Sequence, residues 1–350
     1  MSDAPLPRTA GVSPASQGIA GETPAVRPFI RRIAVIGAGL MGHGIAIDFA
    51  RAGFDVALYD IDDAKLQAGR GSIDASLARL QSMGLMSAEQ ARAVPQRIRL
   101  TTVLADAVSS ADVCIEAVLE NLDVKHRIFA ELDRLCPAHT ILASNTSTFK
   151  PSRLAAVTKR PDKVLVTHYF NPPYLLPLVE IVRHDGTSDE TVQTMHALLK
   201  NSGKQPAIVQ KEVTGFIGNR LQAALLREAL ALVEQGVATP QDVDIVIKNS
   251  IGRRWAFAGV FEIFEIAGWD LLLDICKQVQ PELCRESEPS RLLTEKVTRG
   301  ELGIKSGRGF YEWTPESAEA LKARIAAGLI AVEKAVGSSS TVTVLRSKLP

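Results

Sequence analysis

RRIAVIGAGLMGHG, residues Arg31 to Gly44, decides how the rest of the chain is read. Ile33, Ala34, Val35 and Ile36 form a short apolar, β-branched run suited to a strand buried on both faces. Gly37-x-Gly39-x-x-Gly42 follows at once, and Ile45, Ala46, Phe49 and Ala50 then recur at helical spacing. Strand, tight turn and helix in that order give the glycines the context of a dinucleotide-binding fingerprint. Gly37 permits the sharp turn, Gly39 leaves the pyrophosphate unobstructed, and Gly42 lets helix and strand pack closely. Leu40 and Met41 complete the turn, where free N–H groups and the helix dipole favour phosphate. A second strand, Phe54 to Tyr59, ends at Asp60, about twenty residues on, where a ribose-binding acid belongs. Ile61 stands where an NADP-binding chain often carries Arg, so NAD is the expected cofactor.

The chain has 350 residues, 46% of them apolar, with a formal charge of +1, and its length predicts two domains. The balanced charge leaves no electrostatic footprint for nucleic acid. No apolar run approaches the roughly 20 residues that span a bilayer. Cys114, Cys136, Cys276 and Cys284 lack metal-ligand spacing, so no metal is expected and the four read as thiols in a reducing compartment. Residues 1–28, rich in Pro, Ala, Ser, Gly and Thr, read as a disordered leader without a secretory signal. Cytoplasm is the default location.

Beyond Asp60, the segment Ala64 to Ala93 reads as a helical hairpin. Strands are predicted at Ile98–Thr102, Val113–Ile115, Thr140–Ala143, Val164–Thr167, Leu178–Ile181 and Ala207–Val209, interleaved with helices. Alternating strands and helices imply a doubly wound, mostly parallel α/β sheet of the Rossmann type over residues 29–212. Strand signals then fade. Residues 213–335 read as an all-helical domain, opened by an amphipathic helix through Phe216, Leu221, Leu225, Ala229 and Val233 that suits burial against a partner subunit or in a plain core. Residues 336–350 read as a tail.

Ligands of such sheets lie beyond the carboxyl ends of the strands. Glu120, Ser147 and His168 fall there, Glu180 lies in the next strand, and Asn219 sits early in the long helix. An imidazole is suited to taking an alcohol proton, and a carboxylate on its other nitrogen would fix its tautomer. Ser and Asn donors hold a substrate oxygen. Each residue also has a structural reading, since a strand-end histidine is often only hydrogen-bonded and a serine here can cap a helix. His43 reads as lining the glycine turn, and His126, His139, His184 and His196 as surface residues.

At these residues the sequence resembles the 3-hydroxyacyl-CoA dehydrogenase family, from about Ile33 to Trp313. VIGAGLMGHGIA, IEAVLENLDVKHRIF, ASNTS, THYFNPPYLLPLVEIV, GFIGNR and GIKSGRGFYEW match family motifs in order. The resemblance implies His168 as general acid/base with Glu180 as its partner, and Ser147 and Asn219 against the substrate's 3-oxygen. It implies cofactor contacts at Asp60, Glu120, Lys125, Asn145, Asn171 and Lys305, and dimers through the helical domain. Arg70 and Ser72 lie roughly where the family sets a basic residue and a serine against CoA, which favours a short-chain L-3-hydroxyacyl-CoA such as 3-hydroxybutyryl-CoA. The NPPY form at Asn171–Tyr174 and GRRWAFAGVFE at Gly252–Glu262 look closer to a branch that includes lambda-crystallin (an L-gulonate 3-dehydrogenase) and carnitine dehydrogenase. That branch takes free acids, for which Arg253 and Arg254 are candidate carboxylate partners. A non-catalytic, crystallin-like or NAD(H)-sensing protein is the reading of another class, and the presence of both His168 and Glu180 speaks against it.

Overall fold

The computed structural model describes residues 30–337, so the leader at 1–28 and residues 338–350 lie outside the described part. The first half alternates strand and helix: β1 Arg32–Ile36, α1 Gly42–Arg51, β2 Asp55–Tyr59, α2 Asp63–Ser82, α3 Ala88–Ala93, β3 Ile98–Thr101, α4 Leu104–Val108, β4 Val113–Glu116, α5 Leu122–Leu135, β5 Ile141–Ser144, α6 Pro151–Ala155, β6 Val164–Tyr169, β7 Leu178–Val182, α7 Asp189–Asn201 and β8 Gln205–Val209. One eight-stranded sheet results, in the order β3-β2-β1-β4-β5-β6-β7-β8. Strands β1 to β6 are parallel, β7 runs antiparallel to β6, and β8 is parallel to β7. The chain winds outward from β1 to β3 and returns to β4, so the switch point lies between β1 and β4, where such sheets bind ligands.

Central strands with helices on both faces cannot alternate apolar and polar residues, and they do not. Residues 33–36 of β1 and all of β4 and β5 are buried. Helix α1 is buried at every residue from Gly42 to Ala50, and Asp48 is only 5% exposed. Lys204, just before β8, reaches it with Nζ 2.6 Å from Asp48 Oδ2 and also donates to the carbonyls of Pro173, at 2.6 Å, and Leu176, at 3.2 Å. This buried pair therefore fastens the loop between β6 and β7, which contains a cis Asn171–Pro172 peptide. Replacing Lys204 by Met should cost about 3 kcal/mol in urea unfolding, because removing one partner of a buried pair strands the other. The double variant with Asp48→Asn should regain part of that loss.

The remaining elements are helical: α8 Gly218–Glu234, α9 Pro240–Val246, a π-helix at Ile247–Ile251, α10 Gly252–Trp255, α11 Val260–Ala267, α12 Trp269–Val279, α13 Arg291–Thr298 and α14 Pro315–Gly337. Helix α14 runs to Gly337, two residues beyond the boundary expected from the sequence. No helix among the described residues is long and apolar enough to cross a membrane. One surface assignment is corrected: His184 is buried, its ring bonded to the Pro161 carbonyl and the Gly186 amide. The turn after β7 folds over it, which a polar sequence context does not disclose.

Candidate active site

The glycine turn is built as its residue types require. Gly37 adopts φ +110°, and a Cβ there would stand 2.6 Å from the Ala117 carbonyl oxygen. A Cβ on Gly42 would stand 1.7 Å from the Gly37 carbonyl oxygen, so that position admits no side chain. At Gly39 a Cβ would meet nothing within 4 Å, the open approach a pyrophosphate needs. Leu40 is exposed and Met41 half-buried at the start of α1, where the His43 amide donates to the Gly39 carbonyl at 3.2 Å. Asp60 accepts from the Ala38 and Ile61 amides, both at 2.8 Å, which sets its carboxylate beside the turn. The turn is also fastened from α2: His43 bridges the Gly39 carbonyl and Ser76, and a Cβ on Gly69 would stand 2.7 Å from Ala38 Cβ. Gly69 escapes sequence reading because nothing local shows that α2 lies on Ala38. The residues present fit a dinucleotide.

His168 and Glu180 are cross-strand partners in the antiparallel β6–β7 pair. Directly opposite residues share a face, and here His168 Nδ1 lies 2.7 Å from Glu180 Oε2, both residues being buried. The other carboxylate oxygen, Oε1, accepts from the Ile217 and Gly218 amides at the start of α8, each at 2.9 Å. Burial alone would raise the Glu180 carboxyl, but the hydrogen bonds from His168, Gly218 and Ile217 outweigh it and hold the group below the usual carboxylate range. His168 Nε2 makes no hydrogen bond among the described residues, and the rings of Phe170 and Phe216 flank the imidazole at 4.7 and 5.4 Å. Phe216 adopts φ +50°, a left-handed conformation that costs about 1–2 kcal/mol for a non-glycine residue. The strain presents its ring to the imidazole, a role the sequence does not announce.

A carboxylate held low in the folded state contributes stability that is complete above its unfolded pKa, near 4.5 for Glu, and is lost as pH falls through the folded value. The urea midpoint should therefore drop from pH 6 to pH 3.5. In Glu180→Gln the drop should be smaller, and an unchanged drop would remove Glu180 from the account.

Ser147 and Asn219, 72 residues apart, are brought together across the two halves of the chain. Asn219 Nδ2 approaches the Ser147 carbonyl at 3.5 Å, a weak contact. Glu120 accepts from the hydroxyls of Thr146 and Thr148 and from the Ser147 amide, so it shapes the Ser147 loop. Asn145 Oδ1 accepts from the Tyr169 amide at 2.9 Å, next to His168. Asn171 is exposed beside the cis peptide.

Four residues that the resemblance sets against cofactor or CoA are Lys125, Lys305, Arg70 and Ser72. Lys125 is 1% exposed, with Nζ 2.8 Å from Glu116 and 3.2 Å from Glu120, so its charge is spent inside the protein. Glu116, fully buried at the end of β4, also accepts from Ser144 and the Val118 amide and was not singled out from the sequence. Its position at a strand end next to the Glu120 turn was the available signal. Lys305 lies on the exposed 303–308 turn, with no ion pair among the described residues. Arg70 pairs with Asp74 on its own helix at 3.4 Å, and Ser72 Oγ donates to the Ala68 carbonyl, so both CoA candidates are satisfied within α2.

A dinucleotide turn at the switch point of this sheet, with a buried His–carboxylate pair on the neighbouring strands, fits an NAD-dependent oxidoreductase. The chain belongs to the 3-hydroxyacyl-CoA dehydrogenase family. The family model for the NAD-binding domain matches residues 32–213, and that for the C-terminal domain residues 215–313. The chain is 38% identical to a probable 3-hydroxybutyryl-CoA dehydrogenase of Bacillus subtilis, over 81% of this chain and 98% of that protein. It is 35% identical to 5-formyl-3-hydroxy-2-methylpyridine 4-carboxylate 5-dehydrogenase of Mesorhizobium japonicum, over 87% of this chain and 98% of the relative. A crystal structure of an enzyme with that activity, described as an NAD+-dependent dismutase, superposes with TM-score 0.82 at 35% identity, covering 89% of this chain and all of the other.

Proposed function

We propose that the chain oxidises the secondary hydroxyl of a short-chain L-3-hydroxyacyl-CoA to the 3-ketone, with His168 and Glu180 as the acid/base pair. The observation that carries this reading is their cross-strand pairing at 2.7 Å with Nε2 left free. NAD, held by the Gly37–Gly42 turn and Asp60, supplies the hydride acceptor. His168 Nε2 takes the hydroxyl proton, and Glu180 fixes the tautomer and stabilises the imidazolium. The Ser147 hydroxyl and the Asn219 amide hold the 3-oxygen from opposite halves of the chain. Phe170 and Phe216 keep water from the imidazole.

A second reading, a free 3-hydroxy acid as substrate, is favoured by two observations. Arg70 and Ser72 are already satisfied within α2. The pyridine-carboxylate dehydrogenase is also matched over nearly all of its length, and its name describes a free acid. NADH oxidation with acetoacetyl-CoA, free acetoacetate and dehydrocarnitine distinguishes the two. Turnover of the thioester alone supports the first reading; turnover of a free acid with an inert thioester replaces it by the second.

The helical half presents its apolar residues outward. Among residues 218–234 of α8 only Leu230 and Ala231 are buried, and α11 and α12 have no buried residue although they carry Phe261, Ile266, Trp269 and Leu273. Helices this apolar are stable when covered, and a second copy of the chain is the cover the reading assigns. Light scattering should give about twice the 37.7 kDa chain mass; a monomer at micromolar concentration would count against it.

A further inference from the structure

We propose that Cys114 and Cys136 are a peroxide-sensitive dithiol that closes to a reversible intramolecular disulfide. Cys114 lies on β4 and is fully buried, while Cys136 caps the C-terminal end of α5 and is 7% exposed. Their sulfurs are 3.5 Å apart, and both residues belong to the apolar layer between the sheet and α5. Arg160 is the cation beside them: its guanidinium donates to the Cys136 carbonyl at 3.4 Å and to Asp133 Oδ1 at 2.8 Å. Asp133 is the acid facing the pair.

The two thiols are unlike. Burial pushes the Cys114 thiol well above its ordinary range, whereas a hydrogen bond from Cys114, aided by the charge of Arg160, draws Cys136 below it. Cys136 is thus the attacking thiol and Cys114 the resolving one, since the thiolate is the nucleophile. The Cys136 sulfur attacks a peroxide oxygen, the O–O bond breaks, and one water leaves with the thiol proton, giving a sulfenic acid. The Cys114 sulfur then displaces the sulfenic oxygen, which departs with the Cys114 proton as a second water. Two thiols are oxidised by two electrons and one peroxide is reduced. The sulfurs must approach by about 1.5 Å to reach bonding distance, a movement the end of α5 and the 136–140 turn can supply. The bond would close a loop between residues 22 apart and tie β4 to α5 at the end opposite the Glu116–Lys125 pair.

The test treats the native full-length protein with hydrogen peroxide, alkylates free thiols after unfolding, and maps the peptides by mass spectrometry. The expected result is a cross-linked peptide joining Cys114 to Cys136, removed by dithiothreitol. Accessible thiols should fall from four to two, and the thermal midpoint should rise in the oxidised form and return on reduction. In Cys114→Ser, dimedone should trap a sulfenic acid at Cys136. Recovery of Cys114 and Cys136 as free thiols under a dose that oxidises Cys276 or Cys284 would overturn the proposal. So would a disulfide that joins either residue to any other partner.

Discussion

Replacing His168 by Ala should lower turnover by about 10²- to 10⁴-fold while leaving NADH affinity unchanged. The separation follows from placement. His168 sits on β6, bonded to Glu180 on β7, whereas the dinucleotide turn lies between β1 and α1, beyond β5 and β4 in the sheet. Removing the imidazole takes away the proton acceptor and opens a small space between Phe170 and Phe216. It touches nothing that forms the glycine turn. Steady-state turnover measured together with fluorescence titration of NADH checks both halves. Near-wild-type turnover would move the acid/base role elsewhere; a parallel loss of NADH binding would mean that the substitution had disturbed the sheet.

The second large effect is expected at Gly42, and Gly39 is its control. Gly42→Ala places a Cβ 1.7 Å from the Gly37 carbonyl oxygen, a backbone atom that can move only by opening the turn. Destabilisation of about 3 kcal/mol is expected, with loss of NAD binding. Gly39→Ala meets nothing within 4 Å and adopts no positive φ, so thermal stability should stay within about 0.5 kcal/mol of the parent. Its methyl group instead projects where the pyrophosphate must approach, so NAD affinity should fall about tenfold, or 1.4 kcal/mol. Calorimetry of stability and of NAD binding on both variants separates the two glycines. Equal effects on stability would show that packing, not ligand access, governs both.

Much of the sheet was legible because buried parallel strands are short apolar runs and the glycine turn has a single use after such a strand. The His168–Glu180 pair was legible through the family resemblance; the antiparallel register that sets the two opposite each other is seen only in the structure. Contacts made across long stretches of chain were not. Lys125 is read from the resemblance as a cofactor contact, and nothing local shows that Glu116 at the end of β4 lies 2.8 Å from its Nζ. Asp48 and Lys204 are 156 positions apart, and only the burial of α1 from Gly42 to Ala50 makes their pairing necessary. Arg70 is a different case: Asp74, four residues on, offers a helix-surface partner that the sequence displays openly. The outward apolar faces of α11 and α12 are visible only in three dimensions, because the same pattern would also describe a covered core.

One carboxylate, Glu180, answers to both halves of the molecule. One oxygen holds the imidazole and the other holds the first amides of α8, the helix that brings Asn219 to Ser147. The Ile217 and Gly218 amides join the His168 hydrogen bond in holding the Glu180 carboxyl low, so the attachment of α8 to the sheet is also what keeps a charged carboxylate beside the imidazole.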